Sequence, residues 1–239
     1  MGKKLPHVWG CSAKRLRRSF SHRESVVSHQ NNKRYLSDTT LLIASFNLGK
    51  IEEIKSFLSD LPFKIIGLHE LYLRNEFLES GRSFLEIARK KAIFWNKKTN
   101  LMTLGEDSGL IVEALNGLPG IYSSRFSGSE GDSKKNIEKL LYLMKGIPYQ
   151  KRKAKFVCAL ALADERIIIF ETKQEVDGVI LEKPRGKMGF GYDPVFFYPP
   201  LDKTFAEMNI DEKNSISHRG KALKKLVGYL RKFKNNKKV

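Results

Sequence analysis

The sequence predicts an α/β fold, a mixed twisted sheet covered by helices, and three observations carry that expectation. Apolar runs of strand length recur from residue 41 onward. Segments with apolar residues at helical spacing lie between them. The strands first alternate with helices and then cluster between 155 and 181, a pattern that a purely parallel sheet does not give.

Taken in order, Leu41–Phe46 reads as a buried strand, and Asn47 stands at the N-cap of a helix carrying Leu48, Ile51, Ile54, Phe57 and Leu58 at helical spacing. A second strand is predicted at Phe63–Leu68. Ser83–Lys98 forms a helix with Phe84, Ile87, Ala88, Lys91 and Trp95 on one face. Leu101–Leu104 and Leu110–Ala114 read as strands on either side of Gly-Glu-Asp-Ser-Gly, whose glycines would allow a tight turn. Gly117–Gly128 is loop and Lys134–Met144 helix. Three strand-like runs follow, Lys155–Ala163, Ile167–Thr172 and Gln174–Leu181. Pro184–Pro194 is a glycine-rich loop, Val195–Tyr198 a short strand, and Ser217–Lys234 a closing amphipathic helix with Leu223, Leu226, Val227 and Leu230 inward.

Composition excludes some functions and leaves others open. The chain has 239 residues, enough for one sizeable core, and no run approaches the ~18 consecutive apolar residues of a membrane span. Cys11 and Cys158 lie in unlike surroundings, which argues against a disulfide framework and for a reducing compartment. The net charge of +18 suggests a nucleic-acid binder until its distribution is considered. Residues 1–38 hold nine Lys/Arg against two acids, and residues 221–239 hold eight and none, so the body keeps only +3. Residues 1–38, with no sustained periodicity, are expected to be a basic flexible extension before a folded domain spanning 39–239. Their Arg- and Ser-rich, acid-poor character would suit a mitochondrial transit peptide; otherwise the expected location is the cytoplasm.

Four local constellations can carry chemistry. Ser45-Phe46-Asn47-Leu48-Gly49-Lys50 joins a strand to a helix, where unpaired N–H groups and the helix dipole suit an anion and Lys50 adds a charge. Glu106-Asp107-Ser108-Gly109 puts two carboxylates side by side, with Glu79 and Glu86 upstream; such carboxylates repel unless a hard cation such as Mg²⁺ joins them. In Gly189-Phe190-Gly191-Tyr192-Asp193-Pro194, glycines admit a ligand close to the backbone, the aromatic residues offer faces for a base, and Asp193 can accept from ring N–H groups. Lys213 and Arg219 suit phosphate, and His218 can donate to a carbonyl oxygen. Each of these segments alone is equally well an ordinary cap, turn or core cover. Together they supply what a nucleoside-triphosphate site needs.

These segments, in order, together with Glu79-Ser80-Gly81 and Leu118–Gly128, resemble the inosine/xanthosine triphosphate pyrophosphatase family, the Ham1-like proteins, over about 41 to 230. The resemblance implies hydrolysis of non-canonical purine nucleoside triphosphates between the α and β phosphates, with Mg²⁺ as cofactor. It makes Asp107 the general base and a metal ligand and Glu79 a second ligand. It puts Ser45 through Lys50, Ser108, Lys213 and Arg219 on phosphate and sugar, and Phe190, Gly191, Tyr192, Asp193 and His218 on the base. It also implies a homodimer of elongated two-lobed subunits with the site in a central cleft, and neither a membrane nor a specific nucleic-acid partner. Three positions depart from the family's pattern: Phe46 replaces a small residue, Glu106 an aspartate and Ile87 an asparagine. The alternatives are a pyrophosphatase for other modified or pyrimidine nucleotides and a non-enzymatic nucleic-acid binder using its basic ends.

Overall fold

In the computed structural model, the structure describes residues 40–128 and 131–236; the predicted extension at 1–38 lies outside them. One seven-stranded mixed sheet forms the frame, with strand order β2-β1-β3-β4-β5-β6-β7. Its strands are β1 (Thr40–Ile43), β2 (Lys64–Gly67), β3 (Met102–Val112), β4 (Lys153–Asp164), β5 (Ile167–Ile180), β6 (Phe196–Tyr198) and β7 (Lys203–Thr204). The first three run parallel to one another and the rest antiparallel to their neighbours. The helices are α1 (Leu48–Phe57), α2 (Phe84–Thr99), α3 (Ser133–Leu143), α4 (Ile210–Ile216) and α5 (His218–Asn236). Among the described residues no helix is long and apolar enough to cross a membrane.

Alternation along β4 sorts the core onto the two faces of the sheet. Cys158, Leu160 and Leu162 pack with Ile51 and Ile54 of α1 and with Leu223, Leu226 and Leu230 of α5. Val157, Ala159, Ala161 and Ala163 face the other way, onto Phe84, Ala88 and Ala92 of α2. The small residues on that second face let α2 lie close. Buried Arg152 fastens the far end of β5, donating to the carbonyls of Met144, Ile147, Ile180 and Leu181.

Two pairs of predicted strands need correction, and one helix goes unpredicted. Leu101–Leu104 and Leu110–Ala114 are not two strands about a turn but one strand, β3, running straight through Gly105–Gly109. Its glycines serve close approach: a Cβ at Gly105 would lie 2.1 Å from the Ala88 carbonyl oxygen, and one at Gly109 2.5 Å from Ser123 Oγ. Ile167–Thr172 and Gln174–Leu181 are likewise one strand, β5, paired with β4 almost throughout. A helix the pattern did not suggest, α4, is capped by Asn209, whose side chain accepts from the Glu212 amide. Gly105→Ala is expected to destabilise the protein by roughly 2 kcal/mol or more, because helix backbone must move to admit the methyl group. A urea midpoint unchanged from wild type would count against that packing account.

Candidate active site

The site grows from the end of β1 and the middle of β3. After Ile43 the chain leaves the sheet, and Asn47 caps α1 by accepting from the Lys50 amide at 3.1 Å; Ser45 Oγ accepts from the Asn47 amide. This pins the loop before Lys50 reaches inward. Gly49 allows that turn to pass beneath Phe190, since a Cβ there would sit 2.8 Å from the ring. Leu48, by contrast, is exposed and lines neither cavity described below.

Strand alternation separates the two carboxylates that the sequence sets side by side. Glu106 and Ser108 point toward α1 and α5, where Glu106 lies 2.8 Å from Lys50 Nζ and accepts from Arg219 at 3.0 Å. Arg219 also donates to Ser108 Oγ at 3.0 Å, and the Cys158 thiol donates to Glu106 at 3.7 Å. Burial alone would raise the Glu106 pKa, but Lys50 and Arg219 outweigh it and hold the carboxyl well below the usual range. Asp107 lines the cavity that also holds Glu79 and Lys91. It has no comparable partner: among the described residues its buried Oδ2 has no hydrogen-bond donor. Burial pushes its pKa up to about 7, against partial opposition from Lys50 and Lys91. The adjacent acids have therefore been given opposite characters, one a fixed anion and the other a base poised near neutrality.

Behind them lies a buried ion network. Glu53 of α1 accepts from Lys213 at 2.7 Å and from Arg219, while Lys213 also donates to Asp193 at 2.6 Å. Lys213 and Arg219, predicted as phosphate-gripping cations, are thus already paired with carboxylates. Their charge is held in place at the rim of the cavity rather than free. Burial would raise the Glu53 pKa, but Arg219 and Lys213 lower it further than burial raises it. At Asp193 burial wins and the pKa is raised despite Lys213.

Two cavities meet across Asn47, Lys50, Ser108 and Ser124. One carries Phe190, Gly191, Tyr192, Asp193 and His218; the other carries Ser45, Phe46, Glu79, Lys91 and Asp107. Phe190 is half-buried, with Lys213 Nζ 4.9 Å from its ring centre. Tyr192 plays a different part from the open aromatic face the sequence suggests. It is buried, and its hydroxyl donates to the Ser123 carbonyl at 2.9 Å. His218 stacks on Phe156, ring centres 4.7 Å apart. Burial, reinforced by Arg219 and Lys213, keeps its pKa well below the usual imidazole value, so it is neutral. Its Nδ1 is buried with no hydrogen-bond partner among the described residues.

Glu79 is half-buried and accepts from Lys91 and Arg125; Lys91 also donates to the Glu106 carbonyl. Glu86 lines neither cavity; it is half-buried and paired with Lys90 at 2.6 Å. Of the departures, Ile87 is buried core and Phe46 packs edge-on to Trp95, ring centres 6.1 Å apart. The residues that motif reasoning missed are Glu53 and Lys91, together with Asn75, Phe77 and Ser124 of the cavity walls. A signal was present for two of them. Glu53 adjoins Ile51 and Ile54, and Lys91 sits on the apolar face of α2, so each is a charge at a buried position.

Similarity to known proteins agrees with this geometry. The model of the Ham1 family matches residues 41–229. The dITP/XTP pyrophosphatase of Thermoanaerobacter pseudethanolicus is 44% identical over 193 residues, covering 80% of this chain and 96% of that protein. The Bacillus cereus protein of the same name is 43% identical over 190 residues, 78% of this chain and 92% of its own length. Among solved structures, a HAM1 protein from Coxiella burnetii superposes with a TM-score of 0.73 at 37% identity, covering 81% of this chain and 99% of that one. The Staphylococcus aureus Ham1 protein gives 0.71 at 38%, covering 81% and 98%. With the family model spanning the sheet, both cavities and the ion network alike, this chain belongs to the Ham1 family.

Proposed function

We propose that this protein hydrolyses non-canonical purine nucleoside triphosphates, such as those of deoxyinosine and xanthosine, to the monophosphate and pyrophosphate. The observation that carries the mechanism is Asp107, a buried carboxylate with a free oxygen and a pKa of about 7 beside the junction of the two cavities. Phe190, Asp193 and His218 would receive the base, and Asn47, Lys50 and Ser108 the phosphate chain. Asp107 then accepts a proton from a water aimed at the α-phosphorus, while fixed cations offset the charge that develops.

The donor set fits a divalent cation. Asp107 offers an unpartnered oxygen and Glu79 lines the same cavity. Among the described residues no group of three or more His, Cys, Asp or Glu side chains is assembled to hold an ion. Carboxylate oxygens completed by substrate phosphates are the usual magnesium arrangement, and the bound ion would supply charge neutralisation on the phosphates. Preference for 6-keto purines follows if the pocket donates to the keto oxygen and accepts from the ring N–H, because adenine reverses that pattern.

The test is pyrophosphate release from deoxyinosine, xanthosine, guanosine and thymidine triphosphates, with and without Mg²⁺. The first two are expected to turn over at least about tenfold faster than the others, a difference within reach of one or two unpaired polar groups. Equal rates on all four would sink the purine-cleansing reading. We further propose that the protein works as a homodimer; a monomeric mass in sedimentation velocity would exclude it.

A further inference from the structure

The cavity that holds Asp107 and Glu79 does not end at its charged groups. Beyond Lys50 and Lys91 its wall turns apolar, formed by Phe46 and Phe77 in front of buried Trp95 and Leu68. A chain of β and γ phosphates has no use for such a wall, since apolar surface gives nothing to an anion. Phe46 and Phe77 are each half-buried and line the cavity, Phe46 edge-on to Trp95 and Phe77 with its ring centre 5.5 Å from that of Phe94. Lys91 Nζ stands 6.0 Å from the Phe77 ring centre, and exposed Asn75 lines the same stretch with an amide. Phe190 lines only the other cavity, Phe46 and Phe77 line only this one, and Asn47, Lys50, Ser108 and Ser124 line both.

Aromatic surface, then cations, then aromatic surface is the complement of a polyanion with a base at each end. We propose that this site also hydrolyses dinucleoside polyphosphates, taking a purine against Phe190 and the second nucleoside against Phe46 and Phe77, with the Asn75 amide at its edge. The inference rests on the pyrophosphatase reading and extends it to a larger leaving group. With inosine and adenosine joined through four phosphates, the water oxygen bonds to the inosine-side α-phosphorus, and Asp107 takes one water proton. The bond from that phosphorus to the bridging oxygen breaks, and the oxygen leaves with its electron pair as part of the terminal phosphate of ATP. The products are inosine monophosphate and ATP, and no oxidant or further reactant is needed.

The experiment measures kcat/KM for three substrates: deoxyinosine triphosphate, the inosine–adenosine tetraphosphate, and inosine tetraphosphate without the second nucleoside. ATP release reports the second reaction. The doubly capped compound is expected to exceed the singly capped one by about tenfold, near the lower end of what one base–aromatic stack contributes. Phe77→Ala is expected to erase that advantage, bringing the two tetraphosphates to equal kcat/KM. Each is measured relative to deoxyinosine triphosphate in the same variant, so that a loss common to all three substrates cancels, and an unchanged circular-dichroism spectrum shows that the variant is folded. Three results would overturn the proposal: no ATP release from a protein active on deoxyinosine triphosphate, equal rates on the two tetraphosphates, or an advantage that survives Phe77→Ala. Inactivity toward all three substrates would instead bring down the pyrophosphatase reading, and this inference with it.

Discussion

Asp107→Asn is expected to lower the rate of pyrophosphate release by a factor on the order of 10² to 10⁴, the range for removing a positioned general base, while the protein folds normally. The substitution is nearly isosteric, and the lost group makes no hydrogen bond through Oδ2 that the fold depends on. A second effect separates this account from simple loss of a structural residue. The Asp107 pKa is near its ordinary 3.8 in the unfolded chain and about 7 in the folded one. Below 3.8 both states hold the proton and the stability is fully present. Between 3.8 and 7 the unfolded chain releases the proton while the folded protein retains it, so stability falls as pH rises and levels off above 7. With a chelator present, wild type should therefore lose on the order of 2 to 4 kcal/mol across that window relative to Asp107→Asn. Urea unfolding of both proteins at pH 5 and pH 8 measures the difference. Parallel curves would show that Asp107 is not held protonated by burial, and near wild-type turnover in the variant would remove it from the chemistry.

The second large effect concerns Glu53, which no motif singled out. Glu53→Ala leaves Lys213 and Arg219 each without one of its buried carboxylate partners. The cost of removing one member of a buried ion network is about 3 to 5 kcal/mol, most of it the unpaired charge that remains. A thermal melt and a urea midpoint should both fall accordingly. Catalysis should suffer beyond that loss, because Lys213 and Arg219 hold Asp193 and Glu106 in place and would be free to swing. Glu53→Gln, which keeps the shape, should fall between the two. If Glu53→Ala matched wild type in stability, the network would not be what fixes the site.

These two residues mark the boundary between what could be read from the chain and what could not. Asp107 was legible because its motif lies in an ordered series with Asn47, Lys50, Phe190, Lys213 and Arg219. Most elements were legible too, apart from their joints and α4: Ser83 caps α2 and Asn47 caps α1, as their side chains and the following apolar spacing require. Gly-Glu-Asp-Ser-Gly misled because polar residues flanked by glycine ordinarily mark a turn. In this fold Lys50 and Arg219 neutralise Glu106, and α2 needs the space that Gly105 leaves. Neither condition is local, so no window on the sequence contains it.

By itself, then, the sequence determined the α/β class, the caps and amphipathic faces, and most of the residue types that gather at the two cavities. Those depend on side-chain periodicity and backbone preference within a few residues. Tertiary structure alone decided which carboxylate is a fixed anion and which a base. Glu106 and Asp107 are neighbours in the chain with like side chains. Strand alternation turns one toward Lys50 and buried Arg219 and leaves the other buried with a free oxygen. A carboxyl's proton affinity is set by the charges and solvent within several ångströms of it, and those are supplied by α1, α2 and α5, far away along the chain.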